Sequence, residues 1–167
     1  MSFEDLPVRA NLFDASALVK VFSDEYDSVV IQTFLNQHAP TRYTTPFCFY
    51  EALNLLKSKW LHRKELSEAQ YRDKALRLVA WHGTATRYGQ DIELTEPTVL
   101  FSVLALVEKY SMDVSDAFQI QSVKSGYFSC LVESSATLLV TADRKLAEIA
   151  RNEGIKAWYF PEEPIPR

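Results

Sequence analysis

Leu138-Leu139-Val140-Thr141-Ala142-Asp143-Arg144-Lys145-Leu146 opens as an apolar run, closes on a hydroxyl and an acid, and continues with a helical pattern. A short, uninterrupted apolar run of this kind reads as a strand buried on both faces, which is the signature of a parallel sheet. The same pattern stands near the other end of the chain. Leu12-Phe13-Asp14-Ala15-Ser16-Ala17-Leu18-Val19-Lys20 is a strand that delivers an Asp to its carboxyl end and leads straight into a helix. Strands of this type alternating with amphipathic helices predict an α/β fold with a central parallel sheet. In such sheets ligands bind beyond the carboxyl ends of the strands, and Asp14 and Asp143 both fall at that edge.

Outward from these two anchors the first strand is expected over Arg9 to Phe13 and the first helix over Ala15 to Phe22. Asp27 to Gln37 is a second amphipathic stretch, and Arg42 to Thr45 a short strand. Thr45-Pro46 starts a helix with Thr as N-cap and Pro in the first turn, running through Glu51 to Leu61. Ser67 with Gln70 forms a capping box for a helix that ends near Gly83, and Thr95-Glu96-Pro97 repeats the cap-then-proline signal before a helix over Thr98 to Tyr110. A helix from Ser115 to Lys124, stopped around Gly126, precedes the strand Thr137 to Thr141. Arg144 to Asn152 is helical with Gly154 as its C-terminal cap, and Ile155 to Phe160 is the last strand.

The 167 residues are expected to form a single domain, with a core over about 9–160 and a proline-rich tail at 161–167. No apolar stretch is long enough to cross a bilayer, and the first residues lack the basic-then-apolar order of a signal peptide, so a cytoplasmic protein is expected. Cys48 and Cys130 have neither paired nor metal-ligand spacing and read as reduced thiols filling core space. The net charge of -4 hides an asymmetry: Arg42 to Arg87 carries nine Lys/Arg against four Asp/Glu, while the rest of the chain carries nine against eighteen. A basic middle beside an acidic remainder is compatible with a phosphate-contacting flank next to a metal site. Lys57, Lys59 and Lys64 represent that block, whose other reading is a pair of solvated helix faces.

Acids mark the remaining chemistry. Ser115-Asp116-Ala117-Phe118-Gln119-Ile120 opens a helix with an Asp, and Glu51 lies inside its helix, stacked by helical spacing with Phe47 and Leu55. Asp14 and Asp143 have an ordinary alternative as N-caps, and Asp116 has one as a partner of the helix dipole. Glu51 has no such role, and a carboxylate on an apolar stripe must find a partner, shift its pKa or bind a cation. Two inward-leaning acids and two at the strand ends make a shared cation the economical account. Other chemistries find little purchase: there are four glycines and no phosphate-binding loop, no H-E-x-x-H among three scattered histidines, and no G-x-S-x-G. A phosphoaspartate enzyme of the haloacid-dehalogenase kind needs a second Asp two places after Asp14, where Ser16 stands.

Taken in this order, the acid-bearing segments resemble the PIN-domain nucleases, most closely the VapC-type toxin ribonucleases. The likeness runs from Arg9 to Phe160. It implies a three-layer α/β/α PIN-like domain and makes Asp14, Glu51, Asp116 and Asp143 the acidic quartet that holds Mg²⁺ or Mn²⁺. Ser16 and Thr141 match hydroxyl residues that orient the carboxylates, and Lys20, Arg144 and Lys145 become candidates to meet substrate phosphate. The implied activity is metal-dependent hydrolysis of RNA phosphodiester bonds by a toxin, with an antitoxin and a second copy of the chain as expected partners. The chain departs from the pattern at Asn11, polar in a strand usually apolar, and at Asp113, which competes with Asp116 for the third acid; the Asp-Ala pair favours Asp116. Segments 84–96 and 127–136 are long for a compact toxin. Two rival readings keep other chemistry in view: a non-catalytic PIN-fold module binding RNA or protein, and a phosphoaspartyl switch or phosphatase acting through Asp14.

Overall fold

The computed structural model describes residues 10–37, 39, 42–85, 96–125 and 137–166. Strand β1 (Ala10–Phe13) is followed by helices α1 (Ala15–Phe22) and α2 (Ser28–Gln37), and strand β2 (Arg42–Tyr43) by helices α3 (Pro46–Leu61) and α4 (Glu68–Ala85). Helices α5 (Pro97–Tyr110) and α6 (Val114–Ser125) precede strand β3 (Thr137–Thr141), helix α7 (Arg144–Asn152) and strand β4 (Lys156–Tyr159). The strands form one four-stranded sheet in the order β2-β1-β3-β4, and every pairing is parallel.

Every residue of β1 and β3 is buried, which explains why neither shows the polar–apolar alternation of a half-solvated strand. Their side chains divide between two cores with a period of two. Phe13, Leu138 and Val140 face a cluster that includes Leu18 of α1, Phe34 of α2, Leu56 of α3 and Leu78 of α4. Ala10, Leu12 and Leu139 face the opposite cluster with Val103 of α5, Ile120 of α6 and Leu146 of α7. The result is a three-layer α/β/α arrangement, as the alternation of elements predicts.

The path of the chain fixes where a site can form. From β1 the chain moves outward to β2, then returns to the other side of β1 as β3 and continues outward to β4. The order reverses between β1 and β3, whose registers pair Leu12 with Leu139 and Phe13 with Val140. That reversal opens a crevice at the carboxyl ends of the two central strands. Asp14 follows β1 at this place, and Asp143 follows β3 two residues after its end.

Local signals account for the helix ends. Thr45 accepts the Cys48 N–H at 3.2 Å and caps α3 with Pro46 in the first turn. Ser67 and Gln70 bond reciprocally at the start of α4, the Ser67 N–H to Gln70 Oε1 at 2.8 Å and the Gln70 N–H to Ser67 Oγ at 3.2 Å. Gly154 takes φ +80 after α7, the left-handed turn expected of it. At α5 the reading differs: Pro97 is itself helical and Glu96 is the N-cap, without a side-chain capping bond. The expected cap Thr95 lies outside the described residues, as do Arg9, Gly126 and Cys130. Cys48 is a free, fully buried thiol that receives a hydrogen bond from Thr45 Oγ1 at 3.0 Å. No helix among the described residues is long and apolar enough to cross a membrane.

Candidate active site

Asp14 is the organising residue of the carboxyl edge. It is 4 % exposed and its carboxylate accepts from five donors. Oδ1 takes the Ala15 N–H at 2.6 Å and Gln119 Nε2 at 2.9 Å. Oδ2 takes the Ser16 N–H at 3.2 Å, the Ser16 hydroxyl at 2.5 Å and the Thr141 hydroxyl at 2.9 Å. The capping expectation is therefore met, since the bonds to Ala15 and Ser16 start α1. Capping is only part of the arrangement, because two of the five donors come from the distant elements β3 and α6.

Ser16 and Thr141 act as a pair. Each hydroxyl donates to Asp14 Oδ2 and accepts a backbone N–H from the turn after β3: Ser16 Oγ from Ala142 and Thr141 Oγ1 from Asp143, both at 2.9 Å. The β3–α7 turn is thus tied to the Asp14 carboxylate through two hydroxyls. Asp143 in turn caps α7, with Oδ1 accepting the Leu146 N–H at 3.0 Å. Both hydroxyl residues singled out in the sequence bond the Asp14 carboxylate.

Glu51 and Asp116 approach from α3 and α6. Burial raises the pKa of Glu51, and the nearby charge of Asp14 raises it further, while a hydrogen bond from Ser115 pulls the other way. Glu51 Oε2 is buried and has no hydrogen-bond partner. Asp116 is moved furthest: burial first, then the charges of Asp14, Glu51, Asp143 and Asp113, push it from the ordinary aspartate range up to about 7. The four predicted acids, carried on four separate segments, therefore share one electrostatic environment, and Asp113 belongs to it as a fifth. Asp113, three residues before Asp116, lines the same cleft as Asp116 and Asp143.

The acids fall short of a closed cage. Among the described residues no group of three or more His, Cys, Asp and Glu side chains is drawn together tightly enough to hold a metal ion as it stands. The physical reason is visible in the contacts: Asp14 has its oxygens engaged by donors, Asp143 has one oxygen on the α7 cap, and like charges resist closer approach. The donor chemistry nevertheless suits a hard divalent cation, because every candidate ligand is a carboxylate oxygen and one of them, Glu51 Oε2, lacks a partner. Beside Asp116 and Asp143 a cleft of about 120 Å³ is lined by Ser111, Met112, Asp113, Lys145, Leu146 and Ile149. That volume accommodates an ion with its waters, and it is smaller than the ~300 Å³ at which pockets for organic ligands begin.

The expected phosphate-contacting cations divide into two groups. Lys145 lines the acidic cleft, and its ammonium donates to the neutral Ser111 carbonyl at 2.7 Å, leaving its charge unneutralised there. Lys20 is held by Asp27 at 2.5 Å and Glu25 at 3.2 Å, and Arg144 pairs with Glu162 and lies over the Tyr159 ring at 5.2 Å. In the basic block, Lys59 bridges Glu25 at 2.9 Å and Glu65 at 2.8 Å, whereas Lys57 and Lys64 are exposed. Lys20, Arg144 and Lys59 thus have their charges balanced within the molecule.

Gln119 is the site residue that the sequence reading did not assign. Its signal was a polar residue three places after Asp116 in an otherwise apolar helix face, between Phe118 and Ile120. Comparison with known proteins adds no assignment: no protein-family model matches the chain, and no curated protein matches it at a significant level.

Proposed function

We propose that this chain is a Mg²⁺- or Mn²⁺-dependent endoribonuclease with the chemistry of the PIN-domain toxins. The observation that carries the reading is the burial of Asp116 close to Asp14, Glu51 and Asp143: burial first, and then the charges of these acids, raise it to about 7. Carboxylates crowded in this way are stable together near neutral pH only by keeping a proton or taking up a cation. A scaffold alone has no use for that repulsion, and an all-oxygen donor set matches magnesium or manganese.

In this reading Ser16 and Thr141 hold Asp14 in one orientation, and the β3–α7 turn they anchor carries Asp143 to the same edge. Glu51, through its unpartnered oxygen, and Asp116, once deprotonated, would help to hold the ion. A bound divalent ion supplies acidity to a water molecule and neutralises charge at the phosphate. Lys145, which lines the cleft, meets the phosphate backbone beside the acids; Lys57 and Lys64, toward and beyond the far end of α3, would meet RNA only away from the acids. The reading includes control by an antitoxin, a homodimer and a cytoplasmic location.

Cleavage of end-labelled RNA by the full chain, with Mg²⁺, with Mn²⁺ and with EDTA, tests the proposal. Cleavage is expected with either ion, abolished by EDTA and by Asp14→Asn or Asp116→Asn in folded protein. A second reading, a non-catalytic module that binds RNA or protein, draws on the saturation of Asp14 by five donors. It predicts RNA retention without cleavage under every condition, an outcome that would reject the nuclease.

A further inference from the structure

Gln119 lies one turn beyond Asp116 on α6 and is fully buried. Its Nε2 donates to Asp14 Oδ1 at 2.9 Å, across 105 residues of sequence. Chemistry dictates which end of the amide faces the acid, since only the N–H end attracts a carboxylate. The other end, Oε1, is buried without a hydrogen-bond partner. An orphaned carbonyl is destabilising, and Met or Leu would fill the same space without it, so packing does not explain a glutamine here. The bond to Asp14 does.

The five donors on Asp14 are not equivalent. Those from Ala15 and Ser16 belong to the β1–α1 turn, and that from Thr141 belongs to the strand paired with β1. These three residues are built into the sheet and its turns. Gln119 alone reaches in from a helix distant in sequence, on a long flexible side chain, and it binds Oδ1, the oxygen with the fewer donors. Each carboxylate oxygen offers about two lone-pair positions, so the Ala15 N–H and Gln119 Nε2 together fill Oδ1, and withdrawing Gln119 opens one position there.

We infer that Gln119 is a positioning residue that competes with a divalent cation for Asp14. Its amide N–H occupies the Oδ1 position that a cation needs, and it withdraws before Asp14 binds the ion. Gln119 thereby sets the cation concentration at which the site fills. This rests on the reading that the carboxylates hold a divalent ion, and its direction distinguishes it from a merely structural role. If Gln119 only supported the site, removing it would loosen Asp14 and weaken binding; as a competitor, removing it strengthens binding.

The test is isothermal titration of the full chain with Mn²⁺, comparing wild type with Gln119→Met and Gln119→Leu, the second guarding against misfolding of the first. Thermal melts in EDTA check that each variant is folded. Both variants are expected to bind Mn²⁺ about tenfold more tightly, the weight of one charge-assisted hydrogen bond removed from the competition. Equal or weaker binding in folded variants would overturn the inference. Asp116→Asn is titrated in parallel: if wild type binds no Mn²⁺, or binds it no better than this variant, the metal reading itself fails and takes the inference with it.

Discussion

The hydroxyl of Thr141 lies 2.9 Å from Asp14 Oδ2, a contact between residues 127 positions apart. Thr141 Oγ1 also accepts the Asp143 N–H at 2.9 Å. One side chain thus couples the acid after β1 to the acid after β3, at the one place where the strand order reverses. With Ser16, which links Asp14 to the Ala142 N–H in the same way, it fixes the relative position of two candidate ligands.

Replacing that hydroxyl should be felt in both directions. Thr141→Val keeps the shape of the side chain but leaves the Asp143 N–H and one Asp14 lone pair without their partner. The expected loss is about 1–3 kcal/mol, the scale for orphaning a buried polar group. That corresponds to a melting temperature lower by at least ~2 °C for a chain of this size. Thr141→Ser retains the hydroxyl and is expected to recover most of the loss. Urea unfolding of the three proteins checks this, and a Val variant as stable as wild type would show that the hydroxyl is not a structural link.

Asp116 gives a prediction in pH. Its pKa is raised in the folded protein to about 7, by burial and then by the charges of Asp14, Glu51, Asp143 and Asp113. Between the ordinary aspartate value near ~3.9 and about 7 the folded state holds a proton that the unfolded state has released. Stability therefore falls as pH rises through this window, and the penalty is complete above it. Asp116→Asn removes the penalty. In EDTA the variant is expected to melt above wild type at pH 8, with the gap closing as pH is lowered toward 4. A gap that is constant with pH would mean that Asp116 does not titrate in this way.

Sequence and structure agree most closely where local chemistry is strongest. Thr137–Thr141 and Arg144–Asn152 are readable to the residue because an unbroken apolar run meets an Asp cap and a Gly154 stop. The second strand is shorter than expected, Arg42–Tyr43 instead of Arg42 to Thr45: Thr44 bonds the Phe13 carbonyl with its hydroxyl at 2.9 Å and Thr45 turns to cap α3. Asp14, Asp116 and Asp143 are legible because strand ends and helix starts announce them, and Glu51 because it stands on an apolar helix stripe. Side-chain direction is not. Lys20 is six residues from Asp14 in sequence, yet its ammonium is bound to Asp27 and Glu25. Gln119 could not be assigned because its partner is brought to it only by the fold.

Glu153, just after α7, makes a separate prediction about the layer that includes α5 and α6. Its carboxylate accepts from Lys109 at 2.8 Å and the Tyr110 hydroxyl at 2.6 Å, and it pairs with Lys124. These bonds lower its pKa to about 2. For an acid depressed on folding, the stabilisation is present above the unfolded value and lost as pH falls through the folded one. Glu153→Gln should therefore lower the melting temperature at pH 7. The difference from wild type should shrink as pH falls below ~4.3, where an unperturbed glutamate titrates. An unchanged melting temperature at pH 7 would show that the hub is screened by solvent.

The basic flank separates into residues that serve the fold and residues available to a ligand. Lys59 is bound to Glu25 and Glu65, so Lys59→Glu opposes two acids and is expected to destabilise the protein. Lys57 and Lys64 are exposed, and reversing both should leave stability nearly unchanged. If they contact RNA phosphates, the double reversal weakens binding and reduces the slope of log affinity against log salt by roughly one for each lost contact. Turnover at saturating RNA stays close to wild type, because neither side chain is assigned to the reacting phosphate. Affinity measured in EDTA at several salt concentrations, with mass determined alongside, separates the possibilities. A flattened slope with unchanged mass supports the RNA contact. A changed mass reassigns the two lysines to an interface between copies, and an unchanged slope makes Lys57 part of a solvated helix face and Lys64 part of a solvated connection between α3 and α4.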